Sequence, residues 1–414
     1  MIETYAMKVI RISLITMGLW PEEHRLEKEF SFLRYRFLLP LAFLVLLMFI
    51  PQTANLFVVY NDLVLITENL TTVNFPVIVV FMKFFVMKSY KKVLGDVIES
   101  YTRDWENLKD REDTETMMKG ANIAGRISIG CYVLTEITAS IKMLQQLFAI
   151  IRSEINGLDR IFILQSLFPP IFKVTPYYQA VCLGQVIGAY CLATSYAGVD
   201  CLVYLLVFHI CGQFQILHRS LIRTINSPKI LQNPKRFGYF LAIIVRKHEY
   251  LNWFAEAVED SFNVCFLVQV LFSTLLMCFQ YFLVFRAVSR SEGLAVNDVA
   301  FMVTYVIANM LFIYFYCYMG ELLIVASAGM RNAALESNWY MLTPNNMRMV
   351  IFILFRSRKP LKLTAGKFSV LSMETYSSST IASTSTTTRP AITAIGGIGA
   401  QLAAQVTIFT LQLA

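Results

Sequence analysis

The amino-acid sequence predicts an all-α membrane protein with seven transmembrane helices, a cytoplasmic N-terminus, an extracellular C-terminus and a cytoplasmic helical anchor bundle. Three observations lead there. Of the 414 residues, 56% are hydrophobic and only 15% charged, too little charge for the surface of a soluble globule of this length. Apolar runs of the roughly 20 residues that a helix needs to cross a hydrocarbon core occur repeatedly, and a further one opens near Ala365. Basic residues gather in alternate gaps between those runs, as in polytopic membrane proteins.

The elements follow in chain order. Residues 5–20, "YAMKVIRISLITMGLW", are apolar with Lys8 and Arg11 on one side. That suits a helix at the membrane interface, and equally one packed on the bundle. Residues 1–36 carry acidic and basic groups throughout and so lack the pattern of a cleavable signal peptide, the first long apolar run beginning only at Phe37. The runs themselves are 37–60, 70–87, 127–150, 177–210, 264–285 and 299–326. The fourth is too long for one perpendicular crossing, so its end is expected to continue as helix beyond the membrane.

The gaps on one side are more than connections. "KKVLGDVIESYTRDWENLKD" puts Leu94, Val97, Ile98, Tyr101, Trp105 and Leu108 at helical spacing, inside a loop (88–126) with eight acidic and eight basic residues, which predicts an amphipathic helix in water. Residues 213–225 prolong the fourth span until Asn226-Ser227-Pro228 breaks it. A helix restarting after Asn233-Pro234 leads through Phe237, Leu241, Ile244, His248 and Leu251 into the fifth. "MVIFILF" (349–355) is too short to cross and is expected to pack in a cytoplasmic helical core.

Charge sets the orientation. Lys plus Arg number 6 in 1–36, 8 in 88–126, 7 in 211–262 and 7 in 321–367, against 5 in the other set of loops (60–69, 151–176 and 286–298). The positive-inside rule therefore places the N-terminus in the cytoplasm. Asn69-Leu70-Thr71 is the only N-x-[ST] sequon and falls in a loop this assigns outside, making Asn69 a candidate glycosylation site. The net charge of +8 belongs to these loops, and no nucleic-acid partner is expected. The eight cysteines are scattered without CxxC or metal spacing, which predicts small buried hydrophobes, no metal site and no cofactor.

An internal N-terminus reverses the topology of G-protein-coupled receptors, and neither a DRY box nor NPxxY is present. Several stretches in order resemble instead the insect odorant receptors: "GLWP" (18–21), "TPYYQ" (175–179), "HICGQFQILHRSL" (209–221), "HEYLNWFAEAVEDSF" (248–262), "YCYMGELL" (316–323) and "KPLKLTAGKFSVLSMETYSS" (359–378). The resemblance covers residues 1 to about 379. It implies a subunit of a ligand-gated, non-selective cation channel, a heterotetramer with the odorant receptor co-receptor, in the plasma membrane of olfactory sensory neurons. It also implies a volatile odorant in a pocket between spans two, three, four and six, cytoplasmic helices that hold the subunits together, and a pore lined by the end of helix seven. In this sequence those places hold Asn74, Phe75, Ile78, Thr138, Ile141, Tyr178, Cys182, Gln185, Tyr305 and Asn309 as ligand-binding candidates, and Ser372, Thr375, Tyr376 and Ser379 as pore-lining ones. Apolar and aromatic walls with few polar groups suit a ligand that offers mostly shape and dispersion.

The expected division is 1–36 as an N-terminal segment with an interfacial helix, 37–326 as the six-span bundle in contact with membrane lipid, 327–364 as the cytoplasmic first part of helix seven, 365–379 as the start of the pore helix, and 380–414 as an atypical tail. Ionisable groups inside spans are costly and need a role. Lys142 is expected to snorkel to the outer surface; Glu136 to sit in the pocket, pair with another helix or stay protonated; Asp200 to meet a solvated inner vestibule. For catalysis the sequence offers no HExxH, no Gly-rich phosphate loop and no nucleophile elbow. The C-terminus departs from the family: 375–389 holds eleven Ser or Thr in fifteen positions, followed by Pro390 and a 24-residue apolar tail. Three readings stay open here: a hydroxyl-faced pore helix, a further span, or an altered final exon that damages the pore wall.

Overall fold

The computed structural model describes residues 5–21, 37–157, 160–228, 234–289 and 296–377. Its helices, in order, are α1 (Tyr5–Thr16), α2 (Leu38–Leu56), α3 (Leu63–Ser89), α4 (Lys91–Glu106), α5 (Arg111–Ile155), α6 (Tyr177–Asn226), α7 (Pro234–Ser289), α8 (Val296–Glu336) and α9 (Pro344–Arg356). Six of these, α2, α3 and α5 to α8, are long and apolar enough to cross a membrane. Of the seventh expected span, opening near Ala365, only the part up to residue 377 falls within the described residues.

Length explains the architecture. At 1.5 Å per residue, the 50 residues of α6 reach about two and a half times the ~30 Å hydrocarbon thickness, and α5, α7 and α8 are of similar size. Each therefore leaves the apolar layer as helix. Their polar ends gather with α4 and α9 into a second bundle, the arrangement that the charged loops predict. Through the middle runs α6, every residue from 197 to 214 buried; a helix apolar all round belongs in an interior. Around it the outer helices turn Leu39, Leu46, Phe85, Ile137, Leu144 and Phe148 outward.

α1 settles an open alternative. Met7, Ile10 and Leu14 are buried, and the helix packs on α5 and α6. It is bundle-packed, with Tyr5 and Ile12 left exposed.

Both early spans are interrupted by a π-helical turn just before a proline, at Leu44–Phe49 ahead of Pro51 and at Leu70–Asn74 ahead of Pro76. Proline has no N–H to close the next α-helical bond, so the ladder slips by one residue. In α3 the Phe75 N–H reaches back to the Leu70 carbonyl. Pro76 then leaves Thr71's carbonyl without a helical donor, and the hydroxyl of Tyr305, from α8, donates to it at 2.8 Å. Because α3 starts at Leu63, the sequon is not in a loop. Asn69 lies 2% exposed within the bundle, its amide nitrogen donating to the carbonyls of Gln52 and Gln165.

The segment expected to open helix seven at Ala365 is instead a hairpin. Thr364–Ala365 (β1) pairs antiparallel with Ser369–Val370 (β2), and both Gly366 and Lys367 adopt positive φ, as a tight primed turn demands. Helix resumes only at 373–377. The hairpin rests on α7: the Gly366 N–H donates to the Asn263 carbonyl at 2.8 Å, Thr364 binds Glu259 through its N–H and its hydroxyl, and Lys367 pairs with Asp260 at 2.8 Å. Leu371's carbonyl then passes so close to Gly320 of α8 that a Cβ there would meet it at 2.0 Å. The boundary expected at 326 falls inside α8, which continues to Glu336.

Candidate ligand-binding site

Between α2, α3, α5, α6, α7 and α8 lies a cavity of about 120 Å³. A water-sized sphere needs roughly 10–15 Å³ on that measure, so there is room for a small organic molecule of about ten heavy atoms. Its wall is mostly apolar, formed by Met48, Val73, Ala189, Leu192, Ala193, Leu276, Phe301 and Phe312 among others. The two π-helical turns supply Met48 and the pair Thr72 and Val73, so the slipped ladders are what turn these residues inward.

The polar groups in the wall are few, and most already have partners. Thr138 donates to the Leu134 carbonyl, Tyr305 to that of Thr71, and the Asn309 amide to that of Ser273. The buried hydroxyl of Thr72 has none. Lys142 is the one cation among the lining residues. It does not snorkel outward: only 5% exposed, it pairs with Glu68 at 2.6 Å and lies 4.9 Å from the ring of Phe301. A low-dielectric wall makes the short pair with Glu68 the cheaper solution.

A loop, 160–176, closes one end. Leu164 lines the cavity, and its N–H donates to Gln185 at 3.2 Å, whose amide in turn donates to Ser166 at 3.1 Å. Gln165 donates to the second oxygen of Glu68 at 2.9 Å, and Leu167 to the Pro51 carbonyl. Tyr178 anchors the start of this segment through the Ile161 carbonyl at 2.7 Å, and packs with Phe162 and Cys182.

Of the ten candidate ligand residues, Thr138, Tyr305 and Asn309 therefore line the cavity. Tyr178, Cys182 and Gln185 support its covering loop. Asn74 holds the outer turns together, accepting from Thr53 and donating to Asn69, while Phe75 packs against Phe272 and Phe279 on α7. Ile78 and Ile141 are half-buried away from the cavity. Residues that sequence reasoning passed over, Thr72, Tyr196 and Leu164 chief among them, enter through a π-helical turn, a helix-facing tyrosine and a loop. Glu136 is not in the wall; it accepts a hydrogen bond from Thr194 at 2.9 Å.

Below the cavity floor a second ion pair crosses the bundle. Lys83 of α3 and Asp200 of α6 meet at 2.7 Å, 1% and 2% exposed, so Asp200 meets a buried lysine and not a solvated vestibule. Lys83 also donates to the Tyr196 carbonyl at 2.7 Å and sits 4.2 Å from its ring. Tyr196 thus belongs to the cavity wall and to this pair at once.

Further along, the cytoplasmic-type ends are tied by polar networks. Asp104 of α4 receives His209, Lys247 and Tyr250 at 3.0, 2.8 and 3.0 Å. Burial pushes its carboxyl up, and the hydrogen bond from His209 with the nearby Lys247 charge outweigh that and hold it below the usual range. Arg219 grips Glu112 and Asp113 at the start of α5. Of the pore-lining candidates, Ser372 and Thr375 bond each other at 3.1 Å and Tyr376 packs edge-on to Tyr314; Ser379 lies outside the described residues.

Six apolar spans around a small, mostly apolar cavity with a few polar groups in its wall define a polytopic helical membrane protein with a small-molecule cavity. The 7tm Odorant receptor family model matches residues 63–383, most of the chain. Among curated proteins, Odorant receptor 13a of Drosophila melanogaster is 24% identical over 197 residues, 45% of this chain and 46% of that protein. Odorant receptor 9a of the same insect is 27% identical over 250 residues, 60% of each. The matches thus span about half the length of these relatives. Among solved structures, the insect olfactory receptor OR5 from Machilis hrabei in complex with eugenol superposes with a TM-score of 0.76 at 15% identity, covering 97% of both chains. The chain belongs to the insect odorant receptor family, a family of receptors and not of enzymes.

Proposed function

We propose that this chain is the odorant-binding subunit of a heteromeric, ligand-gated, non-selective cation channel formed with the odorant receptor co-receptor in the plasma membrane of olfactory sensory neurons. The observation that carries the reading is the cavity between α2, α3 and α5 to α8, apolar, loop-covered and of small-molecule size. Its ligand is a volatile with an apolar body and one hydrogen-bond acceptor, met by Lys142 or the unpartnered Thr72 hydroxyl. The N-terminus is cytoplasmic and the C-terminus extracellular. Ser372, Thr375, Tyr376 and Ser379 open the pore-lining stretch of helix seven. The docked hairpin at 364–370 links ligand-bearing α8 to that stretch through Gly320.

A second reading is favoured by one observation, the Ser/Thr run at 375–389: a receptor that binds odorant and co-receptor without conducting. Whole-cell current in cells carrying this chain with the co-receptor, across an odorant panel, separates the two. The channel reading expects odorant-evoked current that needs the co-receptor and persists when G-protein signalling is blocked. Current only from a version with an apolar ending after Ser379 would establish the second reading, and current abolished by the G-protein block would refute the channel.

A further inference from the structure

A second cavity, of about 180 Å³, lies between α1, α5 and α6 and is separate from the odorant cavity. It is bounded by Tyr5, Val9 and Ser13 on α1, by Ser128 and Val133 on α5, and by Gly198 on α6. Gly198 is a close-approach position, since a Cβ there would stand 3.0 Å from the Ser13 hydroxyl. The rim is apolar and outward-facing: Tyr5, Ile129 and Val133 are all exposed. In a spanning bundle such a rim faces hydrocarbon, and an opening there admits what is dissolved in the membrane.

Its wall contains an imbalance. Ser13 and Ser128 are 8% and 3% exposed, yet the Ser13 hydroxyl has no hydrogen-bond partner and that of Ser128 has only the weakly bonding Cys201 thiol beside it. Buried hydroxyls in helices ordinarily bond back to the preceding turn, and on α5 itself Thr135, Thr138 and Ser140 each donate to the carbonyl four residues earlier. Ser128 does not, and its own carbonyl is taken by the Cys201 thiol at 3.3 Å. A buried hydroxyl left unpaired is unfavourable. One hydroxyl unpaired and a second held only by a thiol, in the wall of one otherwise apolar cavity, mark a place where a ligand's polar atom completes the pairing.

We propose that this cavity is a binding site for a membrane-dissolved amphiphile with a single hydroxyl head, the chemistry shared by long-chain alcohols and sterols. The apolar body enters past Ile129 and Val133, and the hydroxyl exchanges hydrogen bonds with Ser13 and Ser128. The site is independent of the odorant cavity and of whether the channel conducts.

The test uses the purified full-length protein in lipid nanodiscs, irradiated with diazirine-bearing hexadecanol in one arm and diazirine-bearing cholesterol in the other, with adducts mapped by peptide mass spectrometry. Adducts are expected to concentrate on residues 5–13 and 128–133 in at least one arm, to be competed by the unlabelled alcohol and not by the alkane of equal length. They should fall about three- to tenfold in the Ser13→Ala/Ser128→Ala double variant, the loss of one or two net hydrogen bonds, and also in Val133→Trp, which fills the cavity. The arm that labels names the source. Labelling spread evenly over outward residues such as Leu39, Phe85 and Leu144, alkane competition equal to that of the alcohol, or labelling unchanged in the conservative double variant would overturn the proposal.

Discussion

At the scale of single residues, Lys83 and Asp200 decide most. Each is buried beyond the reach of water, and a charge there is tolerable only because the other stands 2.7 Å away. Asp200→Asn leaves the ammonium of Lys83 uncompensated and should cost about 3–5 kcal/mol of stability, read as a lower melting temperature of the purified protein. Lys83→Met combined with Asp200→Leu should recover most of that loss; if the double variant is as unstable as the single one, the pair is not what the bundle needs there. Asp104 gives a pH-dependent counterpart. Its carboxyl is held below the ordinary value of about 4 by His209 and Lys247 against the pull of burial. The stability it contributes is therefore present above that ordinary value and lost as pH falls through the depressed one. Melting temperature of the native protein should drop between pH 5 and pH 3 more steeply than that of Asp104→Asn, which has no such carboxyl to protonate. Equal slopes would mean that Asp104 is not linked to folding.

Among the elements, the hairpin between α9 and the start of helix seven links three of the stretches that carried the family resemblance. "HEYLNWFAEAVEDSF" supplies Glu259 and Asp260, "YCYMGELL" supplies Gly320, and "KPLKLTAGKFSVLSMETYSS" supplies the residues they hold. Gly320→Ala should push the Leu371 carbonyl away and loosen the hairpin, raising the rate of tryptic cleavage at Lys362 and Lys367 by about tenfold or more, since proteolysis follows local opening. Gly130→Ala, where a Cβ meets nothing within 4 Å, is the control and should leave cleavage unchanged. Similar cleavage in both would contradict the docking. Much of this element level was legible beforehand. The 3.6-residue period of 94–108 announced α4, Asn226-Ser227-Pro228 marked the end of α6, and the length of "MVIFILF" gave α9. The hairpin was not, because "LTAGKF" reads as a helix start until Glu259 and Asn263, about a hundred positions away, take its N–H groups. Nor were the π-helical turns, since Pro51 and Pro76 announce a disturbed ladder without saying which way the displaced residues turn.

For the molecule as a whole, the same contrast holds for the site. The family resemblance pointed to the region between spans two, three, four and six, and within it the hydroxyl and amide groups on apolar helices, visible locally, singled out Thr138, Tyr305 and Asn309. It misjudged Lys142 and Asp200 and passed over Lys83, because their partners come from 74 and 117 positions away and pairing at that range is set by tertiary packing alone. Gln185 and Tyr178 appeared as wall residues on the same local grounds, whereas they hold the loop over the cavity. What the whole bundle does with these parts is to keep one mostly apolar, loop-covered cavity of about 120 Å³ among six spans, with Tyr196 shared between its wall and the buried pair beneath. On the proposed function, a small volatile occupies that cavity. The direct measurement is the melting temperature of the purified full-length protein in nanodiscs against a panel of odorants, beside Ala193→Trp, which fills the cavity. At least one odorant should raise the melting temperature of the native protein in a saturable way, by the equivalent of about 2.7 kcal/mol at a hundredfold excess over its dissociation constant, and leave the filled variant unmoved. Equal shifts in both proteins, or no shift from any odorant in the native one, would contradict the account.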